Sequence, residues 1–149
     1  MKAVIQRVLS ASVSLDGNEI GTINQGFLIL LGIEKDDGPE DLDYMINKTV
    51  GLRIFNDNNN NMNLSIQDVA GEALVVSQFT LCADTRKGCR PSFINAAPPE
   101  IAESTYEKFC KKLQDENVPV QMGRFGAMME VALTNDGPVT ILLDSRDRK

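Results

Sequence analysis

The sequence predicts an α+β domain: a mostly antiparallel sheet with two helices over one side. Three observations carry this. Strand-like alternation recurs in hairpin-like groups, only two stretches keep helical spacing, and the elements run β-β-β-α-β-β-α-β-β. A doubly wound parallel sheet would need regular β-α alternation instead. With 149 residues, 42% of them hydrophobic, the chain reads as a single domain over 1–149, long enough to bury about 70% of its unfolded surface. It shows no internal repeat and no linker. The charged tail after about residue 143 is expected to be the loosest stretch.

Residues 2–14 alternate as a strand whose register shifts near Ser10-Ala11. Asp16-Gly17-Asn18 is a hairpin signal, because these residues tolerate positive φ, and Glu19 to Asn24 returns as a second strand. Gly26 to Ile33 is a continuous apolar run, as expected of a strand buried on both faces. Asp36-Asp37-Gly38-Pro39 ends it in a solvated turn and opens a helix, Pro39 suiting a first helical turn. Leu42, Met45, Ile46, Thr49, Val50 and Arg53 form one helical face. Asn56 to Asn61 is a polar turn, and Met62 to Ile66 a short alternating segment. Glu72 to Leu81 is the strongest strand signal. Residues 82–97 read as a long loop. Pro98-Pro99 starts a second helix, with Ile101, Thr105 and Phe109 beside Tyr106, Cys110 and Leu113, ending at Asn117 and Pro119. Met122 to Leu133 and Val139 to Leu143 read as strands separated by a turn at 134–138, with Met128 and Met129 as core residues.

The chain has no histidine and a formal net charge of −6. No Ser-His-Asp triad, Cys-His pair or His-ligated zinc can come from it. A proton acceptor must be a carboxylate, lysine, thiolate, water or part of a substrate. Cys82, Cys89 and Cys110 fit no C-x-x-C spacing. Free thiols point to a reducing compartment, with Cys82 and Cys110 as packing residues and Cys89 an incidental thiol. The start has polar breaks too early for a signal peptide, and the longest apolar run is far short of a membrane span. A cytoplasmic protein without a membrane partner is expected. Net acidity argues against nucleic acid, yet Arg86, Lys87 and Arg90 form one local basic cluster, and Arg146, Arg148 and Lys149 another.

Two places combine polar or special residues with good strand patterns. Ser77-Gln78-Phe79-Thr80-Leu81 lies where a hydrophobic strand enters a long loop. Asn135-Asp136-Gly137-Pro138-Val139-Thr140 is a turn entering the last strand. From pattern alone, Ser77 and Thr80 also suit an ordinary strand, and Asp-Gly-Pro an ordinary turn. Arg7 puts an unexpected charge in the middle of the first strand, either as an edge solubility charge or as a brace.

These segments, with Arg90-Pro91-Ser92-Phe93 between them, closely resemble the D-aminoacyl-tRNA deacylase family. So do Ile5-Gln6-Arg7-Val8 with Ala11-Ser12-Val13, residues 30–37, Arg53-Ile54-Phe55 and Gly123-Arg124-Phe125. The resemblance spans about residues 1–143. It implies that family's fold, in which mostly antiparallel sheets form a barrel-like or two-sheet core covered by two helices. It also implies a homodimer that hydrolyses the ester joining a D-amino acid to the 3′ end of tRNA, with no metal or cofactor. Ser77, Gln78, Phe79 and Thr80 match the pocket motif. Gly137 and Pro138 match a Gly–Pro pair, in cis, that reaches into the partner's pocket. Phe125 and Met129 match positions near the terminal adenine, and Arg7 a brace on the Gly–Pro turn. Arg86, Lys87, Arg90 and Arg124 are candidates for tRNA phosphates, or otherwise solvent-exposed charges.

The chemistry agrees. Sorting D from L at Cα needs a rigid object, and main-chain carbonyls can accept from the substrate ammonium while blocking an L side chain. Glycine, with no side chain, would also be released. The ribose hydroxyl next to the ester can help activate water, so backbone N–H groups at Phe79 and Thr80 would serve as an oxyanion site. Thr80 is a weak nucleophile without an adjacent base; positioning and purely structural roles stay open for it. The rivals are a related proofreader that removes L-alanine, with a trans Gly–Pro and no bulky aromatic in its pocket motif, and a non-catalytic RNA-end binding module.

Overall fold

The computed structural model describes residues 1–148. Its main sheet begins with β1 (Lys2–Leu15) and β2 (Asn18–Ile23), joined by Asp16 and Gly17 at φ 50° and 79°. Two consecutive positive φ values make the tight turn whose twist matches a hairpin. β3 (Gly26–Gly32) then pairs antiparallel with the first half of β1. The chain crosses through α1 (Pro39–Gly51) and a small antiparallel pair, β4 (Phe55–Asn56) and β5 (Met62–Leu64), to β6 (Glu72–Ser77). α2 (Pro99–Asp115) leads to β7 (Val120–Met122), and β8 (Glu130–Asp144) runs antiparallel along the other edge of β1. β6 pairs parallel with both β3 and β7. These are the two joints that require a crossover, and each has one of the two helices. The other pairings are antiparallel, and the sheet order is β2-β1-β3-β6-β7.

Alternation along the strands divides the core in two. Ala3, Ile5, Phe27, Ile29, Leu31, Ala73 and Val75 face the helices and pack with Leu42, Met45, Tyr106, Phe109 and Leu113. Val8, Leu28, Leu74 and Val76 face the other way and pack with Ala11, Val13 and Ile23. This second cluster fills the inside of a nearly closed, barrel-like sheet. β2 curls back toward β7 until a Cβ on Gly21 would lie 3.4 Å from the Met122 carbonyl. β3, between the two clusters, is buried on both faces as its apolar run predicts. Tyr106, deep under the helices, donates its hydroxyl to the Val75 carbonyl at 2.7 Å.

Several expectations are corrected. The strand expected over Glu72–Leu81 stops at Ser77, and Phe79–Cys82 forms a 3-10 turn. Gln78 N–H still donates to Leu31 in β3, but Leu81 N–H folds back onto the Gln78 carbonyl at 3.2 Å. Apolar Phe79 and Leu81 happened to continue the strand's alternation. The strand expected over Met122–Leu133 is split: β7 ends at Met122, and residues 123–129 are irregular around Gly126 at φ 74°. Met128 is 90% exposed rather than core. The turn expected at 134–138 lies within one strand, β8, as a bulge. Asp37, expected in a solvated turn, has its side chain only 5% exposed and ion-paired with the Met1 ammonium.

The tail is anchored through residue 148, not trailing; Lys149 of the basic cluster lies outside the described residues. Ser145–Arg148 forms a 3-10 turn, with Ser145 N–H on the Met1 carbonyl at 2.9 Å and Arg148 ion-paired to Asp41. Asp41 also accepts from the Gly38 N–H that opens α1, at 2.8 Å. Burial raises its carboxyl pKa, but the bonds from Gly38, Ser145 and Arg148 outweigh that and hold it down to about 2. A depressed carboxylate contributes stability above its unfolded pKa and loses it as pH falls through the folded value. Urea unfolding between pH 4 and pH 2 should therefore show wild-type stability falling by about 2 kcal/mol more than that of Asp41→Asn. Parallel acid limbs would refute this.

Candidate active site

The pocket motif sits where β6 gives out. Ser77 is the last β6 residue, opposite Leu31 of β3. Phe79 and Thr80 open the 3-10 turn, so their N–H groups have no acceptor within it. Gln78 donates from Nε2 to the Thr80 hydroxyl. No carboxylate, lysine or thiol hydrogen-bonds to Thr80 among the described residues. The Phe79 ring is 56% exposed, and Phe93 of the following loop meets it edge-on at 5.0 Å between centroids. Beside the motif lies a cavity of about 300 Å³ whose lining includes Val4, Leu81 and Leu142. Leu142 is 75% exposed.

Phe125 and Met129 stand in the irregular stretch after β7. Because β6 and β7 run parallel, this stretch leaves the same end of the sheet as Ser77–Thr80. Gly123 N–H donates to Val75 at 3.1 Å, and a Cβ there would lie 2.9 Å from the Met129 sulfur. Phe125 is half-buried, its ring 6.1 Å from that of Tyr106. The structure thus brings Ser77, Gln78, Phe79, Thr80, Phe125 and Met129 to one end of two parallel strands, where loops carry side chains into open space.

Gly137 and Pro138 lie elsewhere. β8 pairs through Asn135 opposite Val8 and resumes at Thr140 opposite Gln6. Residues 136–139 therefore bulge out opposite Arg7 alone. The Gly137–Pro138 peptide is cis, and Gly137 has φ 135°. Arg7 is 5% exposed. Its Nε donates to the Asp136 carbonyl at 3.0 Å, and its Nη1 to the Ile54 carbonyl at 2.6 Å and to Asn56 Oδ1 at 3.3 Å. Asp136 Oδ2 lies 3.4 Å from Arg7 Nε. Ser77 is level with Ala3 of β1 through Leu31, whereas the bulge is level with Arg7. The two motifs of one chain are thus about 13 Å apart along the strands.

Lys87, Arg90 and Arg124 are exposed, while Arg86 is ion-paired to Asp84 at 2.6 Å. That guanidinium holds the Asp84 carboxyl down to about 2. Cys89 is exposed, whereas Cys82 and Cys110 are buried; burial pushes the Cys82 thiol up to about 11 and that of Cys110 to about 12. No group of three or more Cys, Asp or Glu side chains is placed to hold a metal ion among the described residues. Among the described residues, no helix is long and apolar enough to cross a membrane.

Sequence reasoning missed the partners of Arg7 in Ile54 and Asn56, the edge contact of Phe93 on Phe79, and the side-chain bonds of Asn135. The Arg90-Pro91-Ser92-Phe93 segment was the available signal for Phe93. The Asn135 side chain had none beyond its place in the motif.

The family model described as D-Tyr-tRNA(Tyr) deacylase matches residues 4–144. The D-aminoacyl-tRNA deacylase of Clostridioides difficile (strain 630) is 60% identical over 145 residues, covering 97% of each chain. The solved structure of c-Myc DNA Unwinding Element Binding Protein aligns with TM-score 0.92 at 43% identity, over 97% of this chain and 98% of that one. A solved "probable eukaryotic D-amino acid tRNA deacylase" has TM-score 0.81 at 16% identity, over 95% and 97%, and shares the fold.

Proposed function

The chain belongs to the D-Tyr-tRNA(Tyr) deacylase family and is a D-aminoacyl-tRNA deacylase, a hydrolase; from that premise we propose how its site works. The enzyme hydrolyses the ester of D-aminoacyl-tRNA and also releases glycine mischarged on tRNA-Ala. It acts as a cytoplasmic homodimer, without a metal or other cofactor. Each pocket is built from Ser77, Gln78, Phe79 and Thr80 of one chain and closed by Gly137 and Pro138 of the other. The observation that supports a shared site is the separation of about 13 Å between a single chain's two motifs. A second copy packed over Leu142 and the neighbouring cavity supplies the missing half and covers exposed apolar surface.

In this reading the N–H groups of Phe79 and Thr80 stabilise the developing oxyanion, and Gln78 orients the Thr80 hydroxyl. Thr80 positions and does not attack, since no base adjoins it among the described residues. The substrate's own ribose hydroxyl assists the attacking water. Phe125 and Met129 contact the terminal adenine, while Lys87, Arg90, Arg124 and, less strongly, the ion-paired Arg86 meet phosphates, making binding salt-sensitive. Phe79 favours this reading over an L-alanine proofreader, whose pocket motif lacks the bulky aromatic. The nucleic-acid binding named for one structural relative favours a second reading, a non-catalytic binder of nucleic-acid ends.

The test follows ester loss from D- and L-tyrosyl-tRNA. Fast release of D alone is expected; equal rates, or binding without turnover, would reject the reading. Mixing refolded Phe79→Asp and Gly137→Ala chains tests the shared site. A heterodimer regains one intact pocket, so about a quarter of the wild-type sites should return. A site held within one chain would recover nothing.

A further inference from the structure

We propose that Asn135 is a positioning residue for D-over-L discrimination, its side chain holding the Gly137–Pro138 segment from one end while Arg7 holds the other. The proposal rests on the deacylase reading above. β8 drops out of register between Asn135 and Thr140, so the sheet ladder does not hold residues 136–139. Two side chains do so instead. Arg7 fixes the entry through the Asp136 carbonyl at 3.0 Å. Asn135 fixes the exit: its Oδ1 accepts from the Val139 N–H at 2.7 Å, bridging the whole bulge. Its Nδ2 donates to the Thr140 hydroxyl at 3.2 Å, which keeps the amide facing the right way. The Thr140 hydroxyl also lies 3.5 Å from Gln6 Nε2.

Pro138 has no N–H of its own, so the Val139 N–H is the first main-chain donor after it. A filter made of main chain rejects an L side chain only if it stands at one depth in the partner's pocket. A displacement of an ångström suffices to lose selectivity. Losing the bond to Val139 leaves both flanking ladders of β8 intact. The loss should therefore appear in selectivity more than in folding, which separates positioning from a merely structural role.

Asn135→Ala, Asn135→Asp and Thr140→Val are compared with wild type for kcat/KM on D- and L-tyrosyl-tRNA, with a thermal melt of each. Asn135→Ala should lower the D-to-L ratio by about tenfold or more. Asn135→Asp keeps an acceptor for the Val139 N–H and should restore most of the ratio. Thr140→Val removes the hydroxyl that orients the Asn135 amide and should lower the ratio, by less than Asn135→Ala does. A wild-type ratio in Asn135→Ala overturns the proposal. So does an Asn135→Asp variant that is folded yet as unselective as Asn135→Ala. A wild-type enzyme that fails to discriminate rejects the deacylase reading first and the proposal with it, before any variant is compared.

Discussion

Gly26→Ala should be the most damaging conservative change in the sheet, costing about 3–5 kcal/mol. Gly26 opens β3 opposite Glu72, the first residue of β6, at the start of a parallel pair. A Cβ there would stand 1.8 Å from the Glu72 carbonyl oxygen and 2.7 Å from its carbonyl carbon and nitrogen. These are backbone atoms of a buried strand, so no side chain can swing away. Either the parallel pair opens or β3 shifts, and β3 is buried between both core clusters. Domains of this kind have about 5–15 kcal/mol in total. At roughly 2–4 °C per kcal/mol, Tm should fall by about 10 °C. Gly17→Ala is the control: its φ is 79°, but nothing lies within 4 Å of the added carbon. It should lose only the modest cost of a left-handed alanine. A Gly26→Ala melt matching that of Gly17→Ala would show that the strand entry yields more easily than its geometry says.

The same crowding explains which parts of the fold were legible in the sequence. β3 reads as a doubly buried strand because it lies between two cores, and no polar position was needed. α1 and α2 read as helices because each shows one apolar face to the sheet. Failures came where periodicity persisted after the backbone had turned. Phe79 and Leu81 keep the alternation of β6, yet their place is a 3-10 turn set by the Leu81-to-Gln78 bond. Met128 and Met129 look like core, but the chain around Gly126 turns outward and leaves Met128 in solvent. Asp136-Gly137-Pro138 looks like a turn between strands, because a bulge and a turn have the same composition. Only pairing with β1 on both sides distinguishes them.

The candidate site was legible as two motifs and not as a geometry. Ser77–Thr80 and Gly137-Pro138 stand out by residue type and by resemblance. Their separation depends on β3 carrying the register from β6 to β1, a property of three strands together. Asp37 shows the same limit in reverse. An acidic pair before Gly-Pro suggests a solvated turn, and nothing local signals that the chain's own first residue returns to it.

Arg7→Met should weaken both the fold and the chemistry, the second more than the first. Arg7 ties the bulge to the helix side of the sheet, through Asp136 in β8 and through Ile54 and Asn56 near β4. Methionine keeps the apolar stem and most of the volume, so the cavity cost is small. What is lost is charge-assisted bonding and the partner of a buried carbonyl at Ile54. An unsatisfied buried carbonyl costs about 1–3 kcal/mol, and the whole change should cost about 2–4 kcal/mol. With the Asp136 carbonyl released, the Gly137–Pro138 segment loses its entry clamp. Release of D-tyrosine from tRNA should then fall about 100-fold at a temperature where the variant is fully folded. Arg7→Lys separates charge from shape: an ammonium can reach Ile54 or Asp136 but cannot fork to both. It should recover stability better than selectivity. If Arg7→Met stayed folded and kept its preference for D esters, the guanidinium would be holding β4 to the sheet and nothing more.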